Sequence, residues 1–168
     1  MLVCETLFTG IINHINDSEA ESKMVDKIPN GFNTLTPFII APDGDRVIKF
    51  AEEAFGAKTK SCLRHKDGSV WNAELDVGTS KLLVGSAHGS QPAFPAFIYV
   101  FVEDTDKVYQ SALNAGGKSL MEPSNQFYGD RNAGVMDADG NVWWIATRVE
   151  DVDQTEIQRR AAEFEKNQ

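Results

Sequence analysis

Glu74 is the ionisable residue of this 168-residue chain whose setting best suits proton chemistry. It lies in Trp71-Asn72-Ala73-Glu74-Leu75-Asp76-Val77, where apolar and polar residues alternate with the period of a strand. With Trp71, Ala73, Leu75 and Val77 turned to a core, Asn72 and Glu74 look the other way, into whatever cavity the fold encloses. A carboxylate between apolar walls loses hydration, so its pKa rises and it can act as a general base. The same position also suits an ion pair with Arg131 or Arg64, or an exposed carboxylate at a cavity mouth. Arg131 closes the stretch Gln126-Phe127-Tyr128-Gly129-Asp130-Arg131. Its guanidinium fork can clamp an anion or, with Asp130, fix its own loop. The histidines, His14, His65 and His88, form no pair at i, i+4 or strand-alternate spacing, and surface residues are expected rather than metal ligands. Cys4 and Cys62 fit no metal or redox spacing, so no disulfide framework is indicated and a cytoplasmic location is expected.

The chain carries 16 basic against 25 acidic residues, a formal charge of −9. That balance disfavours nucleic acid and anionic membrane as partners, since both reward basic patches. No apolar run reaches the ~18 residues of a membrane span. Hydrophobic residues at 42% and charged residues at 24% are ordinary for one globular domain with a full core. Residues 1–15 place Leu2, Val3, Leu7, Phe8, Ile11, Ile12 and Ile15 at helical spacing, which predicts a short amphipathic helix. Residues 16–31 are polar and turn-rich, and 1–33 is treated as an N-terminal extension.

The elements that must position the polar residues come from an internal repeat. Asp45-Arg46-Val47 and Asp106-Lys107-Val108 start two amphipathic stretches (106 − 45 = 61) that close at Gly56 and Gly117 (117 − 56 = 61). Ala51 and Ala54 match Ala112 and Ala115 at the same offset, so a supersecondary unit is duplicated. The first unit, 34–90, predicts a strand from Thr34, a helix over 45–55, and strands near 58–65, 70–77 and 81–87. The second, 95–150, predicts strands from Phe97 to Glu103, 117–121, 131–136 and 141–147, a helix over 105–115, and a loop over 122–129. Together they form one domain, 34–150. Residues 151–168 predict a C-terminal helix with a Thr155–Gln158 capping box and an apolar stripe of Ile157, Ala161 and Phe164.

Paired βαβββ units, with the stretches VIKFAEEAFGA (47–57), WNAELDVG (71–78) and QFYGDRNAGVMDADGNVWWIATRVEDV (126–152), resemble the vicinal oxygen chelate superfamily of glyoxalase I, extradiol dioxygenases and bleomycin-resistance proteins. The resemblance is narrower to its PhnB-like, glyoxalase-like branch and covers residues 34 to 160. It implies an α+β fold in which two βαβββ modules form a curved mixed sheet around a cavity, and a homodimer. Catalytic relatives hold a divalent metal with one ligand from the first and last strand of each unit. Those positions fall here on Thr36 and Phe97 (97 − 36 = 61) and on Leu83 and Trp144 (144 − 83 = 61). None supplies imidazole or carboxylate, so no metal and no other cofactor is expected. Where relatives often place histidine after the Asp-x-x-Gly turn, this chain has Asn141.

Strand alternation then lines the cavity with Phe38, Ile40, Phe97, Tyr99, Phe101, Val142 and Trp144, alongside Asn72 and Glu74. Tyr128 and Arg131 stand at its edge. Such a surface suits a planar organic ligand stacked on Trp144 or Tyr99; the same aromatics could instead fill the barrel as core. Three functions follow. The first is a metal-free protein that sequesters or senses a small planar organic molecule, as the antibiotic-resistance relatives do. The second is a metal-independent enzyme with Glu74 as base and Asn72 or Tyr128 orienting substrate. The third is a dimeric interaction module. The lost metal positions favour the first and disfavour glyoxalase I or dioxygenase chemistry.

Overall fold

A computed structural model describes residues 25–166. The helix expected over 1–15, with Cys4 and His14, lies outside the described residues. Two modules follow in chain order. The first has β1 (Phe38–Ala41), α1 (Gly44–Phe55), β2 (Lys58–Arg64), β3 (Val70–Val77) and β4 (Ser80–Ser86). The second has β5 (Phe97–Phe101), α2 (Thr105–Asn114), β6 (Lys118–Asn125), β7 (Asp130–Met136) and β8 (Val142–Arg148). The chain continues into α3 (Gln154–Lys166). Each module builds one four-stranded mixed sheet, ordered β1-β4-β3-β2 and β5-β8-β7-β6, with β1 parallel to β4 and β5 parallel to β8. This is the α+β, paired βαβββ architecture that the repeat implied. No helix among the described residues is long and apolar enough to cross a membrane.

Local chemistry sets the element ends. Asp43 caps α1 by accepting from the Asp45 N–H, and Asp104 caps α2 by accepting from the Lys107 N–H. Gly56 ends α1 in the left-handed conformation (φ 66°) that glycine adopts without a Cβ penalty. In the second module the left-handed residue is Gly116 (φ 92°). Gly117 is needed for a different reason: a Cβ there would run into Val135, the Ala112 carbonyl and Phe50.

The apolar faces of α1 and α2 share one core. Val47, Phe50, Ala51 and Ala54 of α1 and Ala112 of α2 pack with Ile39, Val70, Ala73, Leu75, Val84, Val135, Trp143 and Ile145. Phe50 and Phe55 reach across the module boundary to Trp143, with ring centroids 5.8 and 5.0 Å away. Arg46 adds a two-pronged ion pair to Asp139 in the β7–β8 turn. The helix sides of both modules are therefore joined, and the opposite sheet faces are left open.

Several expected boundaries move. The first strand begins at Phe38 rather than Thr34, because Pro37 has no N–H to give and contributes only its carbonyl, to Leu83. The loop expected over 122–129 is strand through Asn125, carried past Pro123 by shifts in the β6–β7 register. Trp71 does not join the core. A bulge opposite Leu63/Arg64 gives the buried place to Val70 and leaves Trp71 60% exposed. Helix α3 is capped by Asp153, whose carboxylate accepts from the Thr155 and Glu156 N–H groups, not by a Thr155–Gln158 box. Its Arg160 binds Glu150 through two hydrogen bonds, and Phe164 rests on Phe127 with centroids 5.5 Å apart.

Candidate functional site

The open face of the second sheet carries the chemistry. Alternation along β5 sends Ile98 and Val100 to the helix side and Phe97, Tyr99 and Phe101 to the other. Phe97 and Phe101 are 68% and 66% exposed, far above what core aromatics show. Trp143 goes into the core, so its neighbour Trp144 lies on the open face, with its ring near-parallel to Phe97 at 6.0 Å. The indole lies flat across Gly134 of β7. A Cβ at 134 would stand 2.9 Å from Trp144 Cε3 and closer still to Cζ3. Tyr99 and Phe101 continue the shelf at 5.2 Å.

At the centre of this shelf is a polar cluster that sequence reasoning missed. Asn132 is fully buried and points to the open face. With its amide oriented by the surrounding donors, Oδ1 accepts from Tyr128 Oη (2.6 Å), Tyr99 Oη (2.9 Å) and Trp144 Nε1 (3.0 Å), and Nδ2 donates to the Arg131 carbonyl (3.2 Å). Tyr99 Oη also lies 3.2 Å from Asp130 Oδ2, and the other oxygen of this buried carboxylate accepts from Arg148 (3.1 Å). Burial chiefly pushes the Tyr99 phenol up to about 12, and burial raises Tyr128 as well. Both hydroxyls therefore stay protonated near neutral pH and serve as hydrogen-bond donors rather than bases.

The sign of the Tyr99 shift makes a prediction. A phenol whose folded pKa exceeds its free value of 10.0 adds stability that is fully present below pH 10 and is lost as pH rises toward 12. Spectrophotometric titration at 295 nm is expected to show a tyrosine ionising near pH 12. That step should disappear in Tyr99→Phe; a variant titrating like wild type would contradict the assignment.

The open face of the first sheet is different. Phe38, Leu63, Asn72, Glu74, Lys81 and Leu83 share it by register, with Phe38 beside Leu83 and Leu83 beside Glu74. Among the described residues Phe38 makes no ring contact with the Phe97–Trp144 shelf. Glu74 pairs with neither Arg131 nor Arg64. Lys81 of β4 holds it at 2.5 Å and also binds Asp76 at 2.6 Å, while its ammonium sits 5.5 Å over the Phe32 ring. The carboxylate is thus held in an ion pair within its own sheet rather than standing alone between apolar walls.

Arg131 leaves the ligand set. Odd-numbered residues of β7 face α2, and its guanidinium makes two bonds to Asp106 and one to Asn125. Arg64 likewise makes two bonds to Asp45 at the start of α1. His65 and His88, unrelated in sequence spacing, stack at 3.9 Å, and Trp71 lies on His65 at 5.2 Å. With Arg64, Lys66 and Asp67 they line a recess of about 440 Å³.

The divalent metal implied by the fold does not fit these residues. Thr36 precedes β1 and donates to the Asn33 carbonyl, and Leu83, Phe97 and Trp144 offer no ligand atoms. Among the described residues no group of three or more His, Cys, Asp or Glu is placed to hold a metal ion. Asn141, in the position where relatives often carry histidine, accepts from the Ala96 N–H and donates to Asp137, a structural role.

Comparison with known proteins agrees with this geometry. The family model of the Glyoxalase/Bleomycin resistance protein/Dioxygenase superfamily matches residues 31–145. The Mycobacterium bovis protein Mb0911c is 27% identical over 135 residues, covering 74% of this chain and 89% of its own. TioX from Micromonospora sp. ML1 has a TM-score of 0.60 at 19% identity, covering 70% of this chain and 99% of its own. A superfamily enzyme from Burkholderia phytofirmans PsJN has a TM-score of 0.55 at 19% identity, covering 68% and 97%. At such identities the solved structures speak for the fold alone. The family match spans well over half the chain, and on it this protein belongs to the glyoxalase/bleomycin resistance protein/dioxygenase superfamily.

Proposed function

We propose that this chain binds a small planar organic molecule, without a metal or other cofactor, on the aromatic face of its second sheet. In this reading a second copy of the chain closes the site, the protein works in the cytoplasm, and it falls in the PhnB-like branch. The observation that carries it is the exposed row Phe97, Tyr99 and Phe101 with the half-buried Trp144, set around the hydroxyls of Tyr99 and Tyr128. Apolar faces of this kind on one copy of a chain mark binding or association surfaces. Rings of this type offer stacking worth about 1 kcal/mol beyond area burial, and a few fixed polar groups add orientation. The enzyme alternative has less support, because Glu74 is occupied by Lys81.

Sedimentation equilibrium and titration with 1-naphthol test this together. The expected result is a dimer that quenches tryptophan fluorescence on adding 1-naphthol. Phe101→Asp is expected to dissociate the dimer and weaken 1-naphthol binding at least tenfold, on the order of the loss for a buried aromatic anchor. A monomeric wild type that takes up no 1-naphthol would refute the proposal.

A further inference from the structure

The two modules differ around one pair of equivalent asparagines. In the second sheet Tyr99 of β5 is beside Trp144 of β8, which is beside Gly134 of β7; Asn132 is two residues before Gly134 on the same face. In the first sheet Phe38 of β1 is beside Leu83 of β4, which is beside Glu74 of β3; Asn72 is two residues before Glu74. Asn72 is thus the counterpart of Asn132 (132 − 72 = 60), and Phe38 is the counterpart of Tyr99 (99 − 38 = 61). The acceptor is kept, and its donors are not. Phe38 lacks the hydroxyl of Tyr99, Leu83 replaces the indole N–H of Trp144, and a turn at 65–69 stands where the second module places Tyr128.

The consequence is visible in the side chain. Asn72 Oδ1 is buried and has no hydrogen-bond partner, the one such side-chain atom among the described residues. A buried acceptor without a donor costs stability, so its presence calls for an explanation. The Phe38 ring, which lies against Gly85 on the same face, is 46% exposed.

Resting on the ligand-binding reading above, in which a second copy of the chain closes the site, we infer that Asn72 is the polar anchor that the first module's face of that second copy adds, and that its amide oxygen accepts from an O–H or N–H on the ligand. The ligand class is then a planar aromatic molecule carrying a hydrogen-bond donor, a phenol or an aromatic N–H compound. The donor replaces the tyrosine hydroxyl that the second module supplies from its own chain.

A matched pair of probes tests this on the full chain: 1-naphthol, and 1-methoxynaphthalene, which keeps the rings and loses the donor. Wild type is expected to bind 1-naphthol about tenfold more tightly, the effect of one buried hydrogen bond. Asn72→Leu should weaken 1-naphthol about tenfold, leave 1-methoxynaphthalene unchanged, and unfold no earlier than wild type, because it replaces an unpartnered amide with an apolar group of similar size. Phe38→Tyr, which supplies the missing hydroxyl internally, should also abolish the preference and raise the melting temperature. Equal binding of the two probes by wild type, or a preference that survives Asn72→Leu, overturns the role of Asn72 and leaves the aromatic site standing. Failure of wild type to bind either probe overturns both.

Discussion

Asn132→Leu is expected to destabilise the protein by about 3 kcal/mol and to abolish binding of planar ligands. The side chain is fully buried, and its Oδ1 gathers Tyr99, Tyr128 and Trp144. Leucine fills a similar volume but accepts nothing, so three donors lose their common partner, at about 1 kcal/mol or more each. Tyr99 retains Asp130 at 3.2 Å, which limits its share of the loss. The functional effect is larger than the stability effect. Without its anchor the Trp144 indole is free to leave Gly134, and the shelf formed with Phe97 loses its floor. Urea denaturation measures the first effect and 1-naphthol titration the second. A variant of wild-type stability that still binds would contradict the role given to the cluster.

The second large effect belongs to Asp137, which organises the join between modules. Its buried carboxylate accepts from the backbone N–H groups of Asp139 and Asn141, from the Asn141 amide (2.8 Å) and from Trp143 Nε1 (2.9 Å). Trp143 is the ring on which Phe50 and Phe55 of α1 rest, and Asp139 carries the ion pair to Arg46. Asp137→Ala orphans four donors, three of them on buried residues, and loosens the surface on which the modules meet. A loss of about 4 kcal/mol is expected, with a fall in Tm of about 10 °C. Thermal unfolding followed by circular dichroism checks it, and a fall under about 3 °C would show that the turn holds without this carboxylate.

Both effects depend on residues that the sequence makes hard to single out, and the reason is physical. The duplication at offset 61 is local and periodic, so the helices, the strand count and the open face of β5 can be read directly from it. β3 is expected over 70–77 and observed at Val70–Val77. Asn132 was hidden because β7 stands at offset 60 from β3, and the offset returns to 61 only in β8, after a β7–β8 connection longer than that between β3 and β4. At offset 60 it matches Asn72, while at 61 it falls on Trp71, a bulge residue. The stacking of His65 on His88 joins distant positions, and the four donors around Asp137 converge through the local path of the β7–β8 turn; no periodicity encodes either. Glu74 looked like a base because alternation reports which face a side chain takes, not that Lys81 stands on the same face one strand away. Arg131 was misplaced for the converse reason: the stretch expected as a loop is strand on both sides of a tight turn, and strand phase decides its direction.

Stacking of a planar ligand on the second sheet's aromatic face can be read from the indole N–H signals of ¹⁵N-labelled protein. The three tryptophans occupy three environments: Trp71 on His65, Trp143 in the core bonded to Asp137, and Trp144 on the shelf bonded to Asn132. On adding 1-naphthol, the Trp144 signal, identified by its loss in Trp144→Phe, is expected to shift in a saturable way while the Trp143 signal stays in place. A Trp144 signal that does not move at saturating 1-naphthol, or a response confined to Trp71, would contradict it.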